Sequence, residues 1–331
     1  MLKIGKLDSD LLKKIVFEKI TCRRPEVITR PGIGEDCAVV DFGQYDCIMS
    51  TDPITAAVSD IGRLAIHITC NDIASNGVAP LGIMIAAMLP EGTTAQDIEM
   101  IMDQAGKTAA ELNVEIIGGH TEITAAVNKP VIVSTAIGRG PKDSSNSSAD
   151  MKAGNKILLT KRAGLEGAGI IASDLEEELK AVLTAEELAE AKSFLDEVSV
   201  VKEGVAAGQI GTCGMHDVTE GGVFGAVWEM CQVAGLGCEI KKENIKVDRV
   251  TEKIADFYNI DLYRLISSGC MLMVVPEEKA DTIVEAVSAE GVEISCIGEI
   301  REKEFGIMVS SEGKLTAIEP PESDELYKAV K

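Results

Sequence analysis

Two hydrophobic periodicities alternate along the chain. Apolar residues that are contiguous or alternate with polar ones predict β-strands, and apolar residues three or four positions apart predict helices. The predicted strands span residues 45–51, 81–89, 114–117, 131–137, 156–160, 270–275, 293–300 and 305–309. The predicted helices span residues 8–20, 59–76, 94–112, 185–195, 200–207, 222–234, 250–258, 277–289 and 324–330. This alternation predicts sheets covered by helices, in a protein of the α/β or α+β class.

A polar, serine-rich segment interrupts the pattern between residues 142 and 152. It lies between two apolar strands and has no residues with which to build a core, so it predicts a domain boundary near residue 150. The expected domains are residues 1–150 and 151–331. A chain of 331 residues agrees with two domains of about 150 residues each.

The charge of the chain restricts its partners. With 54 acidic and 32 basic residues the net charge is −22, which disfavours a nucleic acid or an anionic membrane as partner. Such a chain attracts divalent cations, and it needs a metal or backbone N–H groups to hold a phosphorylated ligand. The nine cysteines form no CxxC pair, the N-terminus has scattered charges, and the longest apolar run is too short to span a bilayer. We therefore expect a soluble, cytoplasmic protein.

One aspartate falls on the apolar face of a predicted helix. In the helix 59–76, Ile61, Ala65 and Ile68 form a stripe at helical spacing, and Asp72 continues this stripe one turn later. A buried ionised carboxylate is costly unless it is hydrogen-bonded, paired or bound to a metal. Asp72 therefore accepts hydrogen bonds from a neighbouring loop or binds a cation, and both alternatives stay open.

Two further acidic segments are candidates for a ligand site. Asp52 follows an apolar strand and precedes Pro53, a position that suits either a site residue or an ordinary turn. In the segment 32–36, Gly34 lets the backbone approach a ligand, and Asp36 adjoins another acid. Adjacent carboxylates repel each other unless a cation or hydrogen-bond donors lie between them.

Two of the three histidines stand beside glycines and acids. His120 belongs to Gly118-Gly-His-Thr-Glu122, which we interpret as a strand running into a two-glycine turn. A zinc site formed by His120, His216 and a carboxylate is conceivable, although its spacing matches no zinc pattern.

His216 precedes the predicted helix 222–234. Asp217 or Thr219 caps this helix, or else Gly221, Gly222 and the helix N-terminus bind an anion while Asp217 holds a metal.

As an ordered set, these segments resemble the PurM-like superfamily, which contains aminoimidazole ribonucleotide (AIR) synthetase, selenophosphate synthetase, thiamine-monophosphate kinase and the hydrogenase maturation protein HypE. The chain is most similar to the HypE-like, AIR synthase-related branch. The segments that carry the resemblance are 34–40, 50–53, 71–74, 118–122, 216–222 and 267–270.

The resemblance implies an α/β N-terminal domain whose sheet joins that of a second subunit in a homodimer, and an α+β C-terminal domain that closes a nucleotide cleft. It implies ATP and Mg²⁺ as cofactors. The implied magnesium ligands are Asp36, Asp52, Asp72 and Asp217. The implied nucleotide-binding residues are Gly34, Asn71, Gly118, Gly119, His120, Glu122, Gly221 and Gly222.

The expected activity is ATP-dependent phosphoryl transfer to an oxygen of a small-molecule or amide acceptor. His120 and His216 are candidate general bases on chemical grounds alone. HypE carries a reactive C-terminal cysteine, whereas the last cysteine here is Cys296. One alternative is therefore a nucleotide-binding assembly or regulatory protein that lacks cyanide-donating activity and acts with a maturation partner protein. The other alternative is an activity like that of thiamine-monophosphate kinase.

Overall fold

The computed structural model describes residues 7, 9–32, 34–55, 60–142, 147–321 and 323–330. Four features of the sequence fall outside these residues. They are Asp8 at the start of the predicted helix 8–20, Ile33 in the first glycine segment, Ser59 at the start of the predicted helix 59–76, and the centre of the serine-rich segment at 143–146.

The first half of the chain forms a six-stranded sheet. Its strands are β1 (Val27–Thr29), β2 (Ala38–Asp41), β3 (Tyr45–Ile54), β4 (Pro80–Leu89), β5 (Glu115–Ile123) and β6 (Val131–Pro141). The strand order is β1-β2-β3-β6-β4-β5; β4 and β5 are parallel, and the other pairs are antiparallel. The helices of this half are α1 (Ser9–Ile15), α2 (Ile61–Ser75) and α3 (Ala95–Glu111).

One face of this sheet is covered and the other is not. Ile83 and Ile85 of β4 pack with Ile61 of α2 and Ile101 of α3 in a single buried core. On the opposite face of the sheet, apolar side chains of β4 and β5 remain exposed in the single chain. These are Leu81, Met84 and Ile117.

The second half of the chain forms a seven-stranded sheet in the order β13-β12-β9-β11-β7-β10-β8. Its strands are β7 (Lys156–Thr160), β8 (Gly214–Asp217), β9 (Gly237–Lys241), β10 (Met271–Val275), β11 (Ile294–Arg301), β12 (Ile307–Ser311) and β13 (Lys314–Ala317). Its helices are α4 (Leu165–Asp174), α5 (Glu176–Leu179), α6 (Ala185–Ser193), α7 (Val201–Ile210), α8 (Gly222–Ala234), α9 (Arg249–Tyr258) and α10 (Glu277–Ala289).

Helices α2 and α7 join the two halves at very close range. A Cβ atom on Gly204 of α7 would lie 2.6 Å from the backbone oxygen of Ala74, and one on Gly208 would lie 2.3 Å from that of Gly77. The absence of side chains at these two positions therefore allows the backbones to pack directly. This contact fixes α2, which carries Asp72, against the second half of the chain.

The predicted architecture of sheets covered by helices is confirmed, whereas several local predictions are wrong. The segment 118–122 does not turn but continues strand β5, because Gly119 brings that strand against β4: a Cβ atom there would lie 1.9 Å from the Ile85 oxygen. Strand β3 also continues past Asp52, since it pairs with β6 as far as Ile54. The predicted helix 324–330 is a single 3₁₀ turn, Glu325–Lys328. The pattern missed the short strands β1, β2, β8, β9 and β13 and the helices α4 and α5.

Among the described residues, every helix is too short or too polar to cross a bilayer.

Candidate functional site

The structure brings the four predicted metal ligands together. Asp36 precedes β2, Asp52 lies in β3, Asp72 lies in α2, and Asp217 ends β8. Burial raises the pKa of Asp72 well above its ordinary value, and the nearby charges of Asp217, Asp52 and Asp36 raise it further. Four carboxyl groups from four separate elements therefore share one electrostatic environment, which we call the aspartate cluster.

Asp72 points inward, as its helical spacing predicts. Its side chain is only 8% exposed, and its Oδ2 atom accepts a hydrogen bond of 2.5 Å from the Ser50 hydroxyl. The donor belongs to strand β3 rather than to a loop. Its neighbour Asp52 has a buried Oδ2 atom with no hydrogen-bond partner among the described residues. One carboxylate of this pair is thus only partly satisfied by the protein.

His216 lies between carboxylates at the other side of the cluster. Its Nδ1 atom is 3.1 Å from Asp36 Oδ2 and 3.8 Å from Asp217 Oδ1, and its Nε2 atom is 3.0 Å from Glu229 Oε2. Burial lowers the pKa of His216, but the carboxylates outweigh burial and hold this pKa well above its ordinary value. A charged imidazole with a carboxylate at each nitrogen has no lone pair with which to accept a proton.

The backbone around Asp36 positions its side chain beside the second sheet. Gly34 adopts a φ of +69°, and a Cβ atom there would lie 3.0 Å from a methyl carbon of Val233 in α8. Asp36 is followed by Cys37, whose thiol donates a hydrogen bond of 3.0 Å to the Asp72 backbone oxygen. Burial and the neighbouring aspartates raise the pKa of this thiol well above its ordinary value. Cys37 is therefore a packing residue rather than a nucleophile.

The donors of the cluster suit a hard divalent cation. Carboxylate oxygens of Asp36 and Asp217 lie within 4.8 Å of each other, beside His216. The Oδ2 atoms of Asp52 and Asp217 are buried, and neither has a hydrogen-bond partner in the part of the chain that the structure describes. Burial also raises the pKa of Asp217, although the hydrogen bond from His216 lowers it. Carboxylate oxygens of this kind are the ligands that Mg²⁺ prefers, so the residues present fit that ion.

The segment 118–122 lies away from the cluster. His120 pairs with Ala86 of β4, Ala86 with Val133 of β6, and Val133 with Pro53 of β3. Three strand spacings separate His120 from β3, or about 14 Å. The His120 ring is 69% exposed and lies 3.3 Å from Glu122.

The alternative zinc site is therefore wrong. Among the described residues, the group that could hold a metal contains His216 and does not include His120. The strand register explains why, since it places His120 on an edge strand of the first sheet.

Three other predicted nucleotide-binding residues already have structural partners. The Asn71 amide donates to the Val198 oxygen at 2.8 Å and accepts from the Val200 N–H at 2.9 Å. The Gly222 N–H donates to the Thr219 oxygen. The Gly221 N–H donates to Asp324 Oδ2 at 2.7 Å.

Asp324 thereby supplies the carboxylate at the start of α8. Neither Asp217 nor Thr219 caps this helix, because its N-cap residue is Gly221, which has no side chain to bond the helix N–H groups. The carboxylate of Asp324 therefore occupies the position at which the sequence predicted a bound anion.

Sequence reasoning missed several residues of the site. Ser50 lies in the segment 50–53, but nothing in the sequence indicates that its hydroxyl would contact Asp72. Glu229 did carry one, since it is the single charged residue in the apolar helix α8. Asp324 lies far along the chain from α8, and nothing local indicates its contact.

The chain is similar to several known proteins. Residues 34–140 match the N-terminal domain, and residues 152–310 the C-terminal domain, of AIR synthase related protein. A putative hydrogenase expression/formation protein of Methanocaldococcus jannaschii is 26% identical over 322 residues, which cover 93% of this chain and 91% of that protein. Carbamoyl dehydratase HypE of Rhizobium leguminosarum bv. viciae is 28% identical over 267 residues, covering 76% and 73% respectively.

Solved structures share the fold. The hydrogenase maturation protein HypE in complex with ATP superposes with a TM-score of 0.74 at 21% identity, over 98% of both chains. A HypE–HypF complex gives a TM-score of 0.75 at 23% identity, covering 87% of this chain and 94% of the matched chain. The fold is thus the two-domain PurM-like fold.

Proposed function

Since the chain belongs to the AIR synthase related protein family, we propose that it is an ATP- and Mg²⁺-dependent enzyme. It transfers a phosphoryl group to an oxygen of a small-molecule or amide-type acceptor. The observation that carries this proposal is the aspartate cluster, in which buried carboxylate oxygens of Asp52 and Asp217 have no partner among the described residues. The fold likeness to a protein in complex with ATP supports the nucleotide.

The charges of ligand and protein require a cation between them. ATP carries about four negative charges, and this chain has a net charge of −22. Asp36, Asp52, Asp72 and Asp217 would hold Mg²⁺, which neutralises charge on the transferring phosphoryl group when it is bound. The chain's own residues then fix the geometry: Ser50 orients Asp72, and His216 orients Asp36 and Asp217.

The uncovered face of the first sheet supports the homodimer as part of the proposal. Met84 and Ile117 are 43% and 49% exposed on neighbouring strands, and β5 is an edge strand. Exposed apolar side chains at a sheet edge are a typical protein–protein contact. His120 and Glu122 lie on this same edge strand, so we place any nucleotide contact of theirs near the subunit boundary.

A second candidate function is that of an assembly or regulatory protein that binds nucleotide and acts with a maturation partner. The observation that favours it is the likeness to the HypE–HypF complex. Steady ADP release that rises with an added amide, carbamoyl or phosphate compound separates the enzyme from this alternative. Nucleotide binding without turnover, together with co-purification of a partner protein, supports the alternative.

Thermal unfolding in the presence of Mg-ATP tests the proposal. We expect Mg-ATP to raise the unfolding temperature of the wild-type chain, and Asp52→Asn and Asp72→Asn each to abolish this shift. The reason is that each substitution removes a charged ligand from the cluster while retaining the size of the side chain. Asp281→Asn, an exposed position on α10, is the matched control and keeps the full shift.

The metal assignment is wrong if both cluster variants retain the wild-type shift. The ligand-free variants are expected to unfold no lower than the wild type, because each loses repulsion among like charges. Calorimetric titration of Mg-ATP into the same proteins measures the loss of affinity directly.

A further inference from the structure

Glu229 is a charged side chain that reaches the candidate site from an otherwise apolar helix. It lies midway along α8, in which it is the single charged residue. Its side chain is 20% exposed, and its Oε2 atom forms a hydrogen bond of 3.0 Å with His216 Nε2. Placing a carboxylate on an apolar, mostly buried helix costs desolvation energy, and this bond offsets part of the cost.

His216 joins the two halves of the aspartate cluster. Its Nδ1 atom lies 3.1 Å from Oδ2 of Asp36, which precedes β2 of the first sheet, and 3.8 Å from Oδ1 of Asp217, which ends β8 of the second sheet. An imidazole nitrogen that faces a carboxylate oxygen carries a hydrogen, so both ring nitrogens donate. One nitrogen is therefore shared by two of the predicted metal ligands, while the other is bonded to Glu229.

The bond to Glu229 determines the orientation of the His216 ring. The torsion that sets the plane of a histidine ring has a broad energy minimum, so contacts at one nitrogen do not fix that plane. The contacts of Nδ1 are divided between two oxygens at unequal distances, whereas Nε2 makes a short bond on the other side of the ring. Loss of the Nε2 bond would therefore allow Nδ1 to turn away from the aspartates.

The same part of α8 also positions the backbone that leads to Asp36. A Cβ atom on Gly34 would lie 3.5 Å from the Glu229 backbone oxygen and 3.0 Å from a methyl carbon of Val233. Gly34 comes two residues before Asp36. Helix α8 thus fixes Asp36 twice, through the close packing of the loop before it and through the Glu229 side chain and His216.

We propose that Glu229 is a positioning residue of the Mg²⁺ site, which acts through His216 to hold Asp36 and Asp217 in the arrangement that binds the cation. This inference rests on the proposed function and deepens it, because it assigns the support of two metal ligands to one side chain. Loss of a hydrogen-bond partner of a metal ligand typically lowers metal affinity 10- to 100-fold. Glu229 acts one contact further away, so we expect the lower end of this range.

Three substitutions separate the reach of the Glu229 side chain from its charge. Glu229→Gln keeps the length and an oxygen acceptor but loses the charge. Glu229→Asp keeps the charge, but its side chain is about 1.5 Å shorter, which would open the 3.0 Å contact with His216 beyond hydrogen-bond distance. Glu229→Met keeps the approximate size and loses both the charge and the acceptor.

Titration of Mn²⁺ alone into the full chain, with the free ion measured by electron paramagnetic resonance, tests the inference. Mn²⁺ prefers the same oxygen ligands as Mg²⁺, and the binding that Asp52→Asn removes is the share of the aspartate cluster. We expect Glu229→Met and Glu229→Asp to weaken this binding roughly 10-fold, and Glu229→Gln to stay within about threefold of wild type. Glu285→Met, at an exposed position on α10, is the matched control and keeps the wild-type affinity.

Nitrogen NMR of histidine-labelled protein tests the contact itself without metal. The chain has three histidines, and His216→Gln identifies the signals of His216. We expect a slowly exchanging Nε2–H signal of His216 in wild type and Glu229→Gln, because this hydrogen is buried and bonded. The signal should be absent in Glu229→Asp and Glu229→Met, whereas a loss of stability elsewhere in the chain would not remove it.

The outcomes distinguish this inference from the proposed function. If the wild type shows no Mn²⁺ binding that Asp52→Asn removes, the metal site fails, and the proposed function and this inference fail with it. If that binding is present, the inference alone is overturned by wild-type affinity in Glu229→Asp, by an equal loss in Glu229→Gln and Glu229→Asp, or by an Nε2–H signal that persists in Glu229→Asp. Because these three outcomes compare Gln with Asp, they decide the matter even if Glu229→Met does not fold.

Discussion

Two buried carboxyl groups stand out among the single residues of this protein. Asp72 and Glu166 are both almost fully enclosed, but their surroundings differ. Asp72 faces three other aspartates, whereas Glu166 faces two acids and the hydrogen-bond donors of Ser268. In both cases burial is the main cause of the raised pKa, so proton binding and folding are linked at these positions.

This linkage predicts how stability depends on pH at Glu166. The pKa rises from 4.5 when the chain is unfolded to about 7 when it is folded. Below pH 4.5 both states hold the proton. Between these values the unfolded state ionises first, so Glu166 lowers the free energy of unfolding as pH rises, by about 3 kcal/mol in total.

We therefore expect the free energy of unfolding of Glu166→Gln, relative to wild type, to increase between about pH 4.5 and 7 and to level off above. Urea unfolding of both proteins at several pH values measures this difference. A difference that is constant across this range would contradict the raised pKa.

At the scale of elements, the contacts of α2 determine where the site forms. This helix packs under the first sheet, lies against α7, and carries both Asn71 and Asp72. The Asn71 amide bonds two backbone groups just before α7. These two hydrogen bonds hold the two halves of the chain in one relative position. This position in turn brings the members of the aspartate cluster together.

Removal of this amide is expected to destabilise the chain. Asn71→Ala leaves the buried Val198 oxygen and Val200 N–H without partners, which costs about 2–4 kcal/mol. Asn244→Ala is the control, because Asn244 makes one exposed hydrogen bond to Cys296 and its loss costs about 0.5–1 kcal/mol. Chemical unfolding measures both values. Equal effects of the two substitutions would show that Asn71 does not join the halves.

The sequence predicted the elements better than it predicted their contacts. Asp72 was found because a helix has a fixed period, so a polar residue on an apolar stripe stands out. Gly118 and Gly119 suggested a turn because glycine is frequent in turns, yet here Gly119 allows two strands to approach. Asp324 and Glu166 were missed because their partners lie far away in sequence, and no local pattern encodes such a contact.

At the scale of the whole molecule, the exposed sheet face determines the expected assembly. A face with Leu81, Met84 and Ile117 uncovered is costly to leave in water. Pairing with a second copy would cover it, and the dimer would place two edge strands β5 near each other. This remains our proposal for the state of the protein in solution.

Light scattering during gel filtration tests the assembly. We expect the wild type to have twice the chain mass of 35.1 kDa, and Met84→Lys combined with Ile117→Lys to have the mass of one chain. Both positions are exposed, so the fold tolerates the change while the interface does not. Leu315→Lys, exposed on β13 of the other sheet, is the control and stays dimeric. A double variant that keeps the dimer mass would rule out this face.

The four aspartates come from both halves of the chain: three from elements of the first sheet and its covering helix, and Asp217 from the second sheet. Mutual repulsion in the absence of a counterion therefore acts across the boundary between two hydrophobic cores. A ligand that neutralises this repulsion therefore couples the unfolding of one core to the unfolding of the other. The cooperativity of thermal denaturation is consequently a property of this small group of carboxylates as much as of the cores themselves.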